Sequence, residues 1–586
     1  MTRRVRKPGG LPRLFVAAVL ITATLAGCTQ KPALPRAVDT VDAFIRAVNA
    51  QNVQAVVATF ASRDRRSWPA VRLRRLIGRS SFQGEIARFR MARTGSVPQA
   101  PDDQLRATKS PAITHAPYQI TYWSRAAQRR VTLKGRLSVL FQGGRWSVGW
   151  SKSVLWPGVG AAVGWKVAYR WPRRASILDR QGRRLAVGSG SSRRYPFHAS
   201  AGTTLGHIGA LAKKDVQGEP GPGYVAGDLV GASGLEQGLE STLAGTPDSK
   251  LQIVGRHGRV LRTVGGKKGH PGHSVKTTLD MKVQAAAEAG YGTATGGAVV
   301  IDPRTGDLLA AVSSSPFDPN NYVGAAGVQP FNRALSGLYP PGSSMKVVTA
   351  SAALDTGAVT PTTQLSGPKE FRGVRNFESE SFRSLSFAQA TEFSVNTAFA
   401  QVALKLGAGR LHHYADLFGF NRAPGLPLGA ATSSFPMPQD ESDLMWGAVG
   451  QAQDLASPLE MASVAATIAN HGKRMDPRIT LGTAPRGRQV VSRKTASEMT
   501  QLMELVVRGG TGTAANIPGV TVAGKTGTAE VDVNGVIKDH AWFVCFAPAQ
   551  DPKVAVSVVV EYGGVGGKVA APLARNILER VLPLVP

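Results

Sequence analysis

Between Asp39 and Trp150 the spacing of apolar residues changes part-way along. Val41, Phe44, Ile45 and Val48 recur at helical spacing behind Thr40, a residue suited to capping. Val53, Val56, Val57 and Phe60 repeat the pattern, so two helices are expected. Residues 118–123, 131–133, 137–141 and 146–150 then read as strands, with Gln142-Gly143-Gly144 as a hairpin turn. Helices followed by strands is an α+β pattern. A second segment, from about Leu155 to Val275, holds a strand entering a turn at Ile177-Leu178-Asp179-Arg180-Gln181-Gly182. It also has a glycine-rich helix start at Gly231-Ala232-Ser233-Gly234-Leu235-Glu236, and Lys267 to Gly272 reads as an exposed linker. From Thr277 onward the apolar runs become continuous. Residues 297–302 and 308–312 predict a buried hairpin around Pro303-Arg304-Thr305-Gly306, and residues 347–354 predict a helix stopped by Gly357.

Length and composition fit this division. The chain has 586 residues, enough for two to four domains, and 42% hydrophobic residues exclude a disordered chain. Two cysteines exclude a disulfide framework and a cysteine-rich zinc site, and no metal or cofactor is expected. A formal net charge of +32 fits either a polyanionic partner (nucleic acid, an anionic membrane surface or an acidic wall polymer) or an arginine-rich composition with no specific role. The N-terminus narrows that choice. Arg3, Arg4, Arg6, Lys7 and Arg13 precede an apolar stretch from Leu14 to Ala26, too short to span a bilayer comfortably, and Leu25-Ala26-Gly27-Cys28 follows. This order resembles the bacterial lipobox, which makes Cys28 the lipidated mature N-terminus; the plainer alternative is a signal peptide or anchor helix with an incidental Cys. Export removes nucleic acid as a partner and places the protein on the extracytoplasmic face of the cell membrane.

The third segment carries the chemistry. Tyr339-Pro340-Pro341-Gly342 cannot continue a helix, so Ser343 sits at the start of one and Lys346 lies three residues on, over the same face. Free N–H groups there favour developing negative charge, and a nearby amine with a lowered pKa can take the hydroxyl proton. A Ser-x-x-Lys spacing is weak alone. A second copy, Ser366-Gly367-Pro368-Lys369, fails because Gly-Pro breaks the helix that would align its ends. The first copy is followed in order by Ser394-Val395-Asn396 and Lys525-Thr526-Gly527, each the sole example of its pattern in the chain.

With Gly524-Lys525-Thr526-Gly527-Thr528-Ala529-Glu530, Ser394-Val395-Asn396-Thr397 and His540-Ala541-Trp542-Phe543, the chain resembles the penicillin-recognising serine acyltransferases, and within them the class B penicillin-binding proteins. Arg174-Ala175-Ser176-Ile177-Leu178-Asp179-Arg180 and Gly234-Leu235-Glu236 resemble that class's pedestal or dimerisation domain, although the family usually has Gly where Ala175 stands. Residues 39–150 resemble the NTF2-like domain of the branch that includes the methicillin-resistance transpeptidase, and the lipobox adds a likeness to actinobacterial penicillin-binding lipoproteins.

The resemblance implies a multi-domain α+β protein: signal peptide 1–28, tether 29–38, NTF2-like domain 39–150, pedestal 155–275 and transpeptidase domain 277–586. The last is expected to be an antiparallel sheet with helices on both sides. The implied activity is D,D-transpeptidation of peptidoglycan stem peptides through an acyl-serine, with β-lactams as acylating mimics. Ser343 is the expected nucleophile, Lys346 the base, Ser394 the proton carrier to the leaving amine, and Asn396 a contact for the substrate amide. Lys525 is expected to repel a proton from Lys346, Thr526, Gly527 and Thr528 to meet the substrate, and the N–H groups of Ser343 and Thr528 to form the oxyanion hole. Cys545 and Trp542 read as core residues, and His540 is open. The competing readings are a D,D-carboxypeptidase or β-lactamase on the same scaffold, and a non-enzymatic β-lactam sensor or wall scaffold. A glycan polymerase or an elongation or division complex is the implied partner.

Overall fold

The computed structural model describes residues 33–107, 110–216, 223–315, 317–327 and 329–586. Cys28 and the expected signal segment lie outside the described residues. The chain forms two compact units, the first from residues up to Val167 together with Lys250–Gly265, the second from Ala168–Ser249 and Gly266–Pro586.

In the first unit, helices α1 (Ala37–Asn49), α2 (Val53–Ala58), α3 (Ser62–Ser67) and α4 (Ala70–Gln83) precede an antiparallel sheet of β1 (Ile86–Arg93), β2 (Ala112–Ser124), β3 (Arg129–Gln142) and β4 (Arg145–Val148), in that order. The α+β expectation holds, with three local differences. Helix α1 begins three residues before Thr40, with Asp39 in its first turn 2.9 Å from Arg36. The runs 131–133 and 137–141 are one strand, because Gly135 keeps extended pairing with Tyr118; its missing side chain makes room for Pro157. The third difference is the boundary expected at 155. Trp156, Trp165, Leu251 and Ile253 bury into the same core as Phe44, Ile120 and Trp150, so these flanking segments pack with the first unit. The turn after β3 is as expected, with Gly143 and Gly144 at φ 61° and 77°, values that suit glycine.

The second unit opens on a buried ion cluster. Glu236, fully buried, accepts from Arg193 at 2.7 Å and Arg174 at 2.8 Å, and Tyr195 donates to it at 3.1 Å. Arg174 also reaches Glu240 at 2.7 Å. The two sequence stretches that resembled the pedestal, around Arg174 and Glu236, are thus one structure. Gly234 starts its helix at φ 54° with neighbouring backbone 2.6 Å from where a Cβ would stand. The expected linker at Lys267 to Gly272 is largely exposed but tied down, His270 pairing with Thr246 through both backbone bonds.

The rest of the unit is built on a five-stranded antiparallel sheet. Its strands are β5 (Gly296–Asp302), β6 (Asp307–Ser313), β7 (Ala523–Val533), β8 (Val536–Ala547) and β9 (Val554–Val560), ordered β6-β5-β9-β8-β7. Continuous apolar runs are explained by burial on both faces. Ala298, Val300, Phe543, Cys545 and Val558 pack under the terminal helix Gly566–Val581, while Val299, Ile301, Trp542, Val544 and Val559 face the larger helical core. That core contains α5 (Lys346–Asp355), α6 (Asn396–Leu406) and α7 (Pro458–Ala469). No helix among the described residues is long and apolar enough to cross a membrane.

Candidate active site

The site forms where α5, the loop before α6 and edge strand β7 converge. Residues 342–345 make a tight 3-10 turn running directly into α5, which places Ser343 at the mouth and Lys346 one turn deeper. Gly342 holds this turn against β7. It sits at φ 53°, its N–H donates to Gly450 O at 2.9 Å, and a Cβ would stand 2.5 Å from Thr528 O. Only glycine fits there without moving the serine.

Lys346 and Lys525 are each 1% exposed, beneath the cleft. Ser394, in a left-handed conformation at φ 57°, puts its hydroxyl between them: Lys525 Nζ donates to Ser394 Oγ at 2.7 Å and Lys346 Nζ lies 3.2 Å away. Lys346 Nζ also donates to Ser394 O at 2.7 Å and Asn396 Oδ1 at 2.5 Å. Burial pushes the Lys346 ammonium well below its ordinary pKa, and the Lys525 charge adds to the effect. Burial alone lowers Lys525 to about 7. A neutral Lys346 amine has two N–H groups; with Ser394 O and Asn396 Oδ1 accepting both, its lone pair is left for a hydroxyl proton.

Above this floor lies a cleft of about 760 Å3 containing Ser343, Ser394, Asn396, Thr526 and Thr528. Alternation along β7 explains its wall: Thr526, Thr528, Glu530 and Asp532 line the cleft at the two-residue period of a strand. Thr526 Oγ1 lies 2.7 Å from Thr511 Oγ1, and Thr528 Oγ1 accepts from Gly566 N at 3.3 Å. Because β7 is the sheet's outermost strand, its free edge can pair with an extended peptide.

Gly527, expected at the substrate, does not line the cleft. A Cβ there would stand 2.9 Å from Pro341 O, so its role is the close approach of β7 to the serine turn. Asn396 lines the cleft, but its amide already donates to Arg375 O at 2.8 Å while its oxygen takes Lys346. Ser366 lies on a separate strand, donating to Gln401, as the broken second motif requires. His540 is buried, accepting from Tyr562 N through Nδ1 at 3.1 Å beside Tyr339, which makes it structural. Trp542 is fully buried and donates to Pro340 O at 2.9 Å, and burial raises the thiol of Cys545. Gln451, which donates to Thr528 O at 3.2 Å, and Thr511 were missed because each comes from a distant loop without a local pattern.

Residues 296–579 match the penicillin-binding protein transpeptidase domain, and residues 185–277 the penicillin-binding protein dimerisation domain. The chain is 35% identical over 400 residues to peptidoglycan D,D-transpeptidase PbpA of Mycolicibacterium smegmatis, covering 60% of this chain and 80% of that protein. The chain belongs to the class B penicillin-binding proteins. Another member of the class, peptidoglycan D,D-transpeptidase MrdA of Acinetobacter baumannii, is 30% identical over 444 residues, 66% of each chain. Penicillin-binding protein A from M. tuberculosis, solved as a ceftriaxone acyl-enzyme complex, is 29% identical with a TM-score of 0.57, covering 70% of this chain and 98% of that one. Pseudomonas aeruginosa PBP2 is 30% identical with a TM-score of 0.61, covering 71% and 96%. All these class B penicillin-binding proteins leave part of this chain unmatched.

Proposed function

We infer that this chain is a peptidoglycan D,D-transpeptidase whose nucleophile is Ser343. One observation carries the reading: a serine at the cleft mouth stands one helical turn from a fully buried lysine, which Ser394 links to a second buried lysine. Neutral Lys346 accepts the Ser343 proton as Oγ bonds to the carbonyl between two terminal D-alanines. The oxyanion is held by the N–H groups of Ser343 and Thr528. When the C–N bond breaks, the proton passes through Ser394 to the departing D-alanine amine. A second stem peptide's amine then attacks the ester and gives up its proton to Lys346, which passes it to Ser343 Oγ as the ester bond breaks, restoring the free serine and the neutral lysine with the cross-link made. Lys525, Thr526 and Thr528 address the anionic end of the donor. A β-lactam follows the first half and stops at the acyl-enzyme.

The test is incubation with a D-Ala-D-Ala-terminated donor peptide and an acceptor amine. Cross-linked product with released D-alanine supports transpeptidation, whereas hydrolysed donor alone, at every acceptor concentration, overturns it in favour of a carboxypeptidase. The helices and four-stranded sheet of the first unit support an NTF2-like module. Leu25-Ala26-Gly27-Cys28 supports attachment through lipidated Cys28 to the outer face of the cell membrane, near a glycan polymerase or an elongation or division complex. Mass spectrometry of the membrane fraction tests that anchor: a diacylglyceryl N-terminal Cys supports it and an intact Met1 terminus refutes it.

A further inference from the structure

We propose that a second cavity in the catalytic unit, separate from the peptide cleft and walled by Arg422, Arg474, Arg478, Arg486 and Arg488, binds a phosphate group carried by a lipid headgroup or a soluble molecule. The cavity, of about 610 Å3, lies between the loop after the helix Ala408–Phe418 and the hairpin of strands Lys473–Met475 and Gly487–Gln489. None of its lining residues is shared with the cleft that holds Ser343.

Two of the five arginines are occupied within the fold. Arg474 is buried and donates from Nη2 to both oxygens of Glu460 at 2.9 and 3.0 Å, and Arg478 pairs with Asp307. The other three are not balanced. Arg422 and Arg486 are exposed at the wall and have no ion pair among the described residues. Arg488 comes no closer than 4.0 Å to Asp476, donates to Leu417 O at 2.8 Å, and leaves its buried Nε without an acceptor. Its guanidinium is destabilised by burial first and then by Arg474 and Arg422, with Asp476, which also lines the cavity, and Glu460 opposing them. Crowded cations with an unused buried donor are a cost to the folded protein unless an anion completes them. Planar guanidinium forks match a tetrahedral oxyanion through paired N–H donors, and phosphate presents several such oxygens at once. Phosphate-bearing lipid and soluble phosphates are the two sources that carry such a group.

The experiment uses the full chain in detergent, with two probes. Titration calorimetry measures pyrophosphate binding, and co-sedimentation compares vesicles containing phosphatidylglycerol with pure phosphatidylcholine. Three proteins are compared: wild type, Arg422→Ala/Arg486→Ala, and Arg63→Ala/Arg66→Ala, which removes the same charge from an exposed helix elsewhere. The proposal predicts at least tenfold weaker binding of one or both probes by the Arg422/Arg486 variant, with the Arg63/Arg66 control within twofold of wild type. Loss confined to pyrophosphate identifies a soluble phosphate, and loss confined to phosphatidylglycerol vesicles identifies a lipid headgroup. Equal loss in both variants would mean bulk charge only and overturns the site, as does failure of the wild type to bind either probe. Acylation by a fluorescent penicillin, unchanged in both variants, verifies that the fold survives.

Discussion

Replacing Lys525 by Ala separates two contributions of one charge. Its Nζ and that of Lys346 lie 2.7 and 3.2 Å from the same Ser394 oxygen, so the two nitrogens are no more than about 6 Å apart. At an effective dielectric constant of about 20 a unit charge at that distance is worth ~3 kcal/mol, and this repulsion adds to burial in holding the Lys346 pKa well below its ordinary value. The sign follows directly. Acylation needs neutral Lys346 and so rises with pH through its pKa; removing the neighbouring cation raises that pKa and moves the ascending limb to higher pH. In the proposed mechanism Lys525, buried beneath the cleft, also attracts the substrate's carboxylate; a charge-assisted contact worth about 1.5–3 kcal/mol predicts roughly 10- to 150-fold slower acylation. A descending limb set by Lys525 itself, which burial lowers to about 7, should vanish in the variant. Lys525→Arg keeps the charge and should leave the ascending limb near its wild-type position, with an intermediate loss of rate. The assay is the second-order acylation rate constant for one penicillin across pH. Wild-type rates in Lys525→Ala, or a rate loss with an unmoved ascending limb, would refute the coupling.

Other outcomes follow from the same geometry. Gly342→Ala places a Cβ 2.5 Å from Thr528 O at φ 53°, so it should slow acylation more than tenfold and lower the melting temperature, read by labelling and thermal denaturation. Glu236→Ala leaves buried Arg193 without its carboxylate and takes one of two from Arg174, so it should destabilise the fold by about 3–5 kcal/mol in denaturant titrations. Asp454 is buried with one oxygen unpartnered, and burial raises its pKa well above the ordinary value. A raised native carboxyl pKa means stability is lost as pH climbs from the unfolded value towards the native one. Asp454→Asn should therefore melt a few degrees higher than wild type at pH 8 and close to it at pH 4; equal melting temperatures at both would refute the assignment.

The motif triplet was legible because its parts are residue types that chemistry requires, spaced 51 and 131 residues apart, yet its two lysines meet at the Ser394 hydroxyl in the cleft that Ser343 lines. The buried hairpin of β5 and β6 was equally legible from its continuous apolar runs. Residues acting through backbone proximity were not: Gly450 meets Gly342, and Gly527 meets Pro341, only once distant loops converge. Gln451 reaches a main-chain oxygen that no side-chain pattern announces. Composition could not reveal that residues 155–167 turn back into the first core, because Trp156 and Trp165 read as apolar residues in either unit. The arginine cavity was hidden for a related reason, its members arriving from a loop and a hairpin more than fifty residues apart.

The central claim is that Ser343 is the residue acylated. Fluorescent penicillin labelling followed by peptide mapping of the adduct tests it most directly, with wild type and Ser343→Ala compared at equal folding by thermal denaturation. The account predicts one penicilloyl group on the peptide containing Ser343 and no labelling of the variant; an adduct on the Ser366 or Ser394 peptide, or undiminished labelling of Ser343→Ala, would contradict it.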